Sequence, residues 1–373
     1  MKIGLLVGME DTFPRAFLDR LGERKVKGLE ASLLTLGGTD FDAIDECDVI
    51  VDRISHEVAY YGAYLRHARL GGTRVVNDPF LTSCDDRFFD TAFAHRLGVR
   101  VPKTVLLPQK GYPETVTGAS LRNLTYPIPW ETHIETVGLP ALLRPVGLRG
   151  WRHVARVSSL EELFAAYDLT GTEVMMLQET ISWNRYVRCI VIGGQVIVAR
   201  YDPEYRQYLE DADYLEPALE ERCVRDASKI AKALGYDMCA VEFAIEDDVP
   251  CAVEFVNPVP DFEQSILGAF WFDKVVEAMV EHCIGLAKAG REKIDLSRPQ
   301  GGGLVVSVAG IGGRPRKTAK KKAAKKKATK KKATKKKATK KKATKKKATK
   351  KKATKKKATK KKATKKAARK RRA

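Results

Sequence analysis

Ala240-Val241-Glu242-Phe243 and Ala252-Val253-Glu254-Phe255-Val256-Asn257-Pro258 lie in two apolar runs that flank the acidic segment Glu246-Asp247-Asp248. Each run carries one carboxylate among apolar residues, and the second adds an amide three residues on. The pattern reads as a β-hairpin over residues 239–256. Side chains alternate across a strand, so the turn length decides whether the carboxylates meet. A three-residue turn pairs Glu242 with Glu254 on one face; a two-residue turn puts them out of register. Buried carboxylates need a partner charge or a cation. Two carboxylates and an amide oxygen make a hard donor set of the kind that suits one or two Mg²⁺ ions holding nucleotide phosphates. The plainer reading is a pair of polar positions on a solvated sheet face.

Working outward, Gly193-Gly194 separates the apolar runs 186–192 and 195–201, a two-residue hairpin signal. Arg188 and Arg200 sit on its strands, and a common face for them depends on the register. Residues 218–234 have helical apolar spacing and stop at Gly235; residues 264–289 form a last helix with Phe272, Val275, Val276, Met279 and Val280 at core spacing. Towards the N-terminus, strand-like runs at 2–7, 30–36, 48–51 and 73–76, with a helix at 58–70, give the alternation of a parallel α/β sheet. Ser83 is read as the N-cap of a helix closed by Gly98, with Asp85 and Asp86 in its first turn. Strands follow at 101–107 and 139–146, and Ser159-Leu160-Glu161-Glu162 is a capping box for a helix to 168. Residues 109–135, rich in Pro, Gly, Thr and Tyr, read as a long insertion. The expected organisation is an N-terminal α/β domain at 1–82, a second domain at 83–295, a Gly-rich linker at 296–316 and a tail at 317–373.

Charge divides the chain in the same way. The 373 residues carry a formal charge of +23, but the last sixty hold 36 of the 69 Lys and Arg and none of the 46 Asp and Glu. Residues 1–313 therefore keep 33 basic against 46 acidic residues, a net charge of −13. From Lys320 the sequence repeats Lys-Lys-Lys-Ala-Thr. With almost nothing to bury, such a tail is expected to be disordered and to bind nucleic acid or another polyanion by counterion release, without sequence preference. A solubilising tail, or one folding back on the acidic part, is the bland alternative. The seven cysteines are scattered and none forms a C-x-x-C pair, which suits buried thiols in a reducing compartment. The N-terminal run is too short for a signal segment, and no apolar stretch reaches membrane-spanning length. The expectation is a cytoplasmic protein associated with nucleic acid, with no membrane partner.

The order of the pieces resembles the ATP-grasp superfamily, especially the branch of glutathione synthetase and the ribosomal-protein glutamate ligase, over residues 45–265. Val75-Val76-Asn77-Asp78-Pro79 followed by Asp86-Arg87 is similar to that family's strand and the helix carrying its first phosphate-binding lysine. Leu97-Gly98-Val99-Arg100-Val101-Pro102-Lys103-Thr104 resembles its "G-I-P-x-P-x-T" entry, and Pro140-Ala141-Leu142-Leu143-Arg144-Pro145 its "P-x-V-x-K-P" strand. Leu177-Gln178-Glu179-Thr180-Ile181 resembles the hinge whose backbone holds adenine, and Tyr186-Val187-Arg188 before Gly193-Gly194 its "D-I-R-V-x-V-V-G-G" segment. The resemblance implies an ATP-grasp fold of class α/β (α+β), with a parallel-sheet domain before it. It implies ATP at Arg87, Arg144, Gln178, Glu179, Thr180, Ile181 and Arg200, Mg²⁺ at Glu242, Glu254 and Asn257, and Arg188 as the catalytic group on the γ-phosphate or on an acyl-phosphate. It further implies a ligase joining a small-molecule or peptide carboxylate to an amine.

Three departures bear on that activity. Arginine replaces lysine at 87 and 144, the Gly-rich flap is reduced to residues 147–153, and Tyr186 stands where an acid is usual. Arginine keeps the charge but changes its geometry. The alternatives are a degenerate nucleotide-binding domain tethered to DNA, and a histone-like architectural protein. For single residues they are a sheet-edge ion pair at Arg144 and a cross-strand salt bridge at Arg200.

Overall fold

The computed structural model describes residues 1–43, 46–82, 86–147, 154–211 and 213–293. Ser83, most of the 147–153 segment, the linker and the lysine repeat lie outside the described residues.

β1 (Lys2–Leu6), α1 (Thr12–Glu23), β2 (Glu30–Leu33), β3 (Val49–Asp52), α2 (Ala59–Leu70) and β4 (Arg74–Val76) build a parallel sheet of order β2-β1-β3-β4. All four residues of β3 are buried, as expected for the inside of a parallel sheet covered on both faces. α1 escapes the sequence reading because its N-terminal cap comes from far along the chain. Glu263 accepts hydrogen bonds from the N–H groups of Asp11 (2.8 Å) and Thr12 (3.0 Å) and from the Thr12 hydroxyl (2.8 Å). No local Ser or Asp side chain does so.

α3 (Arg87–Arg96), β5 (Thr104–Leu107), α4 (Trp130–Val137), β6 (Ala141–Pro145), β7 (Ala155–Val157), α5 (Leu160–Asp168) and β8 (Met175–Glu179) follow, with an antiparallel sheet of order β5-β8-β6-β7. The cap of α3 is Asp86, whose side chain accepts from the Phe89 N–H at 2.6 Å; this corrects the expected start at Ser83. α4 starts inside the supposed insertion and runs two residues past it, with Trp130 packed edge-on against Phe164 (5.4 Å) and Tyr167 (5.0 Å). Along β6 the alternation is clean: Ala141 and Leu143 enter a core of their own with Leu107, Leu163, Tyr167, Met175 and Leu177, while Leu142 and Arg144 face the other way into a cleft.

β9 (Arg185–Ile192), β10 (Gln195–Asp202), β11 (Gln207–Leu209), α6 (Pro217–Leu234), β12 (Met238–Glu246), β13 (Val249–Asn257) and α7 (Gln264–Ala289) complete the chain, with an antiparallel sheet of order β11-β10-β9-β12-β13. α6 covers one face, burying Cys223, Ala227 and Ile230 against Cys189, Val191, Val241 and Phe243. α7, which breaks at Gly268 (φ 73°), covers the other. Its Trp271, Val275, Val276 and Met279 share one core with Ile3, Phe17, Val49 and Val76 of the N-terminal sheet and with Ile190 and Ile192. Asn77 fastens the same two parts: its amide nitrogen donates to the carbonyls of Met238 and Pro258, both at 2.7 Å, and its oxygen accepts from the Met238 N–H at 2.8 Å. The cysteines among the described residues are buried. No helix among those residues is long and apolar enough to cross a membrane.

Candidate functional site

The β12–β13 turn has two residues: Glu246 pairs with Val249, and Asp247 and Asp248 both adopt positive φ (48° and 59°), which Asp tolerates in a tight turn. By alternation alone this would set the carboxylates out of register. Two irregularities in β13 restore it. Phe243 pairs with Ala252, Glu242 with Glu254 and Ala240 with Asn257, so each step adds one residue on β13. The first extra residue is Val253, and both Val253 and Glu254 line the cleft. Without the second, Glu254 and Asn257, three residues apart, would face opposite sides. Such bulges re-aim side chains beside functional sites.

Glu242, Glu254 and Asn257 thus meet on one wall of a cleft of about 1590 Å³ between the two antiparallel sheets. Arg188 lies opposite Glu242 in the β9–β12 ladder, with Nε 3.4 Å from Glu242 Oε1. Its Nη1 donates to the Tyr201 hydroxyl at 3.3 Å, and its guanidinium lies 5.0 Å from the Tyr201 ring centre. The Tyr186 hydroxyl donates to the other oxygen of Glu242 at 2.6 Å. Burial, followed by the charge of Glu242, pushes the Tyr186 hydroxyl well above its ordinary pKa and keeps it a donor. Burial also raises the Glu242 carboxyl, against the opposing pull of Arg188 and Tyr186.

Glu254 has the opposite balance. Burial favours its protonated form, but Arg144 and then Arg87 hold the carboxyl below the usual range. Arg144 Nη2 bonds to Oε2, and Arg87 Nε lies 3.3 Å from Oε1. Two neighbouring carboxyls pushed in opposite directions by their surroundings are a mark of functional sites.

Arg87, Arg144, Gln178, Glu179, Thr180 and Ile181 all line the cleft. The Gln178 side chain accepts from Arg144 Nη1 at 3.2 Å and donates to Thr104 Oγ1 at 3.1 Å. The Glu179 N–H and carboxylate are taken by the backbone of Lys103. The buried Thr180 hydroxyl has no hydrogen-bond partner among the described residues. Arg200 stands elsewhere. It pairs opposite Val187, one residue out of step with Arg188, so it points to the other face of the sheet. There it bonds to Asp211 at 3.0 Å and lies 4.5 Å from the Tyr214 ring. The register corrects its expected place among the ATP-binding residues.

The donor sets fit the implied groups. Three guanidiniums and an unsatisfied hydroxyl suit a polyphosphate nucleotide, and the oxygen-only set of Glu242, Glu254 and Asn257 suits a hard divalent cation. Sequence reading missed Tyr186 as the partner of Glu242, and missed the far wall of the cleft, where Asp52, Ser55, His56 and Arg66 line it. The signal for that wall is the end of β3, since ligands of parallel sheets gather at the carboxyl ends of strands.

No family model and no curated protein matches the chain. Solved structures do. A RimK domain ATP-grasp protein from Sphaerobacter thermophilus superposes with a TM-score of 0.55 at 19% identity, covering 76% of this chain and all of that one. The D-alanine–D-alanine ligase of Bacillus anthracis, complexed with ATP, gives 0.52 at 16% identity over 79% of this chain and all of that one. The ATP-grasp ligase PsnB, complexed with a minimal precursor, Mg and ADP, gives 0.51 at 16% identity over 77% of this chain and 98% of that one. The chain has the ATP-grasp fold, with a parallel α/β sheet preceding it.

Proposed function

We propose that the chain is an ATP- and Mg²⁺-dependent carboxylate–amine ligase, carried to nucleic acid by its lysine-rich tail. The observation that supports the ligase reading best is the double bulge of β13, which gathers Glu242, Glu254 and Asn257 on the wall that also carries Arg188 and that Arg87 and Arg144 reach. In this reading a substrate carboxylate oxygen attacks the γ-phosphorus of ATP, the bond to the bridging oxygen breaks, and ADP leaves. An amine then attacks the acyl carbon, inorganic phosphate leaves with the carbon–oxygen bond pair, and the amine loses a proton. The protein mainly positions and balances charge. Arg188, fixed by Glu242 and Tyr201, faces the transferring phosphoryl group, while Arg87 and Arg144 hold the other phosphates. Mg²⁺, held by Glu242, Glu254 and Asn257, would supply further neutralisation of phosphate charge.

The test is ADP release by the full chain, freed of nucleic acid at high salt, with mixtures of carboxylates and amines. Glu254→Gln is expected to lower it by about 10²–10³. Nucleotide binding without turnover would instead favour a nucleotide-responsive binding protein, a reading that arginine in place of lysine at 87 and 144 keeps in play. No nucleotide binding at all removes both.

The tail reading has its own test. Retention on double-stranded DNA is expected to disappear on deletion of residues 317–373. In the full chain it should weaken by roughly 10³–10⁵ between 50 and 200 mM salt if 6–10 phosphates are engaged. Retention that survives the deletion assigns the binding to another part of the protein. The same reading puts the protein in the cytoplasm with nucleic acid, its substrates being small-molecule or peptide carboxylates and amines.

A further inference from the structure

The two arginines at the family's lysine positions meet the same carboxylate. Arg144 reaches Glu254 Oε2 from β6, and Arg87 reaches Oε1 from the first residue of α3. Arg87 is itself tied to the β6 end of the sheet, its N–H donating to the Val146 carbonyl at 3.0 Å and its Nη1 to the Gly147 carbonyl. Glu254 belongs to β13 in the other sheet, and α3 packs Phe93 and Ala94 into that sheet's core, so the cleft is bridged by Arg144 reaching Glu254 and by Arg87 reaching back to Val146. Each oxygen of Glu254 has its own guanidinium.

We propose that Arg87, Glu254 and Arg144 form a latch that keeps the cation position closed until a nucleotide's phosphates draw the guanidiniums away. The inference rests on the reading of Glu254 as a cation ligand. A divalent cation approaching either oxygen meets a positive guanidinium already in hydrogen-bond or ion-pair contact with it, in a site where burial leaves like-charge repulsion poorly screened. Phosphate oxygens offer the same guanidiniums a bidentate partner of higher charge. As the arginines turn to the phosphates, Glu254 is released to the cation. A lysine would hold Glu254 through a single flexible point charge; the planar fork of arginine holds it in a fixed direction. Cation and nucleotide affinities are then coupled, and by linkage each strengthens the other. The empty protein is shut, and nucleotide binding comes first.

The test uses Mn²⁺ as the probe and counts free Mn²⁺ by electron paramagnetic resonance over the nucleotide-free full chain. Arg87→Met and Arg144→Met are each expected to tighten Mn²⁺ binding about tenfold or more over the unmodified chain. Adding Glu254→Gln should abolish the gain. Arg87→Met carries the test if loss of the buried Arg144 unfolds the protein, and circular dichroism checks the fold of each variant. Mn²⁺ binding by the unmodified chain that is Glu254-dependent and as tight as in the arginine variants overturns the latch and leaves Glu254 a cation ligand. Mn²⁺ binding that is insensitive to Glu254→Gln in every variant, even with a non-hydrolysable ATP analogue present, overturns the cation-ligand reading and the latch together.

Discussion

Replacing Arg188 by Met is expected to lower the rate of ATP-dependent ADP release by about 10²–10³ while leaving KM for ATP nearly unchanged. The split follows from where the three arginines stand. Arg144 stands on the facing sheet and Arg87 at the start of α3, and both carry ground-state contacts to phosphate in the proposed reaction. Arg188 stands on β9, held from one side by Glu242 (3.4 Å) and from another by the Tyr201 hydroxyl (3.3 Å). A buried group oriented in advance by such contacts reorganises little to meet charge that develops only in the transition state. Arg188→Lys should recover only part of the rate, since an ammonium cannot keep the Glu242 and Tyr201 contacts with one flat fork. Steady-state kinetics with a coupled ADP assay separates the cases. A rise in KM with kcat intact would move Arg188 to nucleotide binding.

Arg144→Met is expected to cost about 3–5 kcal/mol of stability, the usual result of removing one member of a buried ion pair. Arg144 is 4% exposed and holds both Glu254 and Gln178, so its loss leaves a carboxylate with Arg87 alone. The melting temperature should fall by roughly 10 °C. The pH dependence gives the check of mechanism. Because Arg144 and Arg87 depress the Glu254 carboxyl in the folded state, their stabilisation is fully present above the unfolded carboxyl's pKa of about 4.3 and is lost as pH falls through the lower folded value. In Arg144→Met that depression weakens. The gap in melting temperature between the two proteins should therefore be widest near pH 7 and close on acidification. A gap independent of pH would mean that Arg144 acts through packing rather than through Glu254.

How much of this was legible beforehand differs between neighbouring residues. The apolar runs around Glu242 and Glu254, the Gly193-Gly194 turn and the helix at Gln264–Ala289 are local patterns, and the chain folds as they suggest. The pairing of Glu242 with Glu254 is not local. Nothing in Ala-Val-Glu-Phe-Val marks Val253 as an extra residue, because a bulge is selected by what the whole sheet must accommodate. Arg200 fails for the same reason: its face depends on a register that two glycines alone do not state. α1 hides because its cap, Glu263, is some 250 residues away, and α4 hides because Pro and Thr around it mimic a loop until Trp130 finds Tyr167. Tyr186 was visible as a departure from the family pattern, but its bond to Glu242 required the sheet to be assembled.

The separate core beneath β6 and β8 has a mechanical meaning. Leu143, Leu163, Tyr167 and Leu177 pack among themselves, whereas α7 welds the N-terminal sheet and the β9–β13 sheet into one body. A lobe that keeps its oil to itself can tilt without the apolar side chains of that core changing neighbours. The work of opening then falls on a few polar contacts at its rim, Arg87 and Arg144 among them, so a jaw with a small, chemically addressable lock is already implicit in how the apolar residues are shared out.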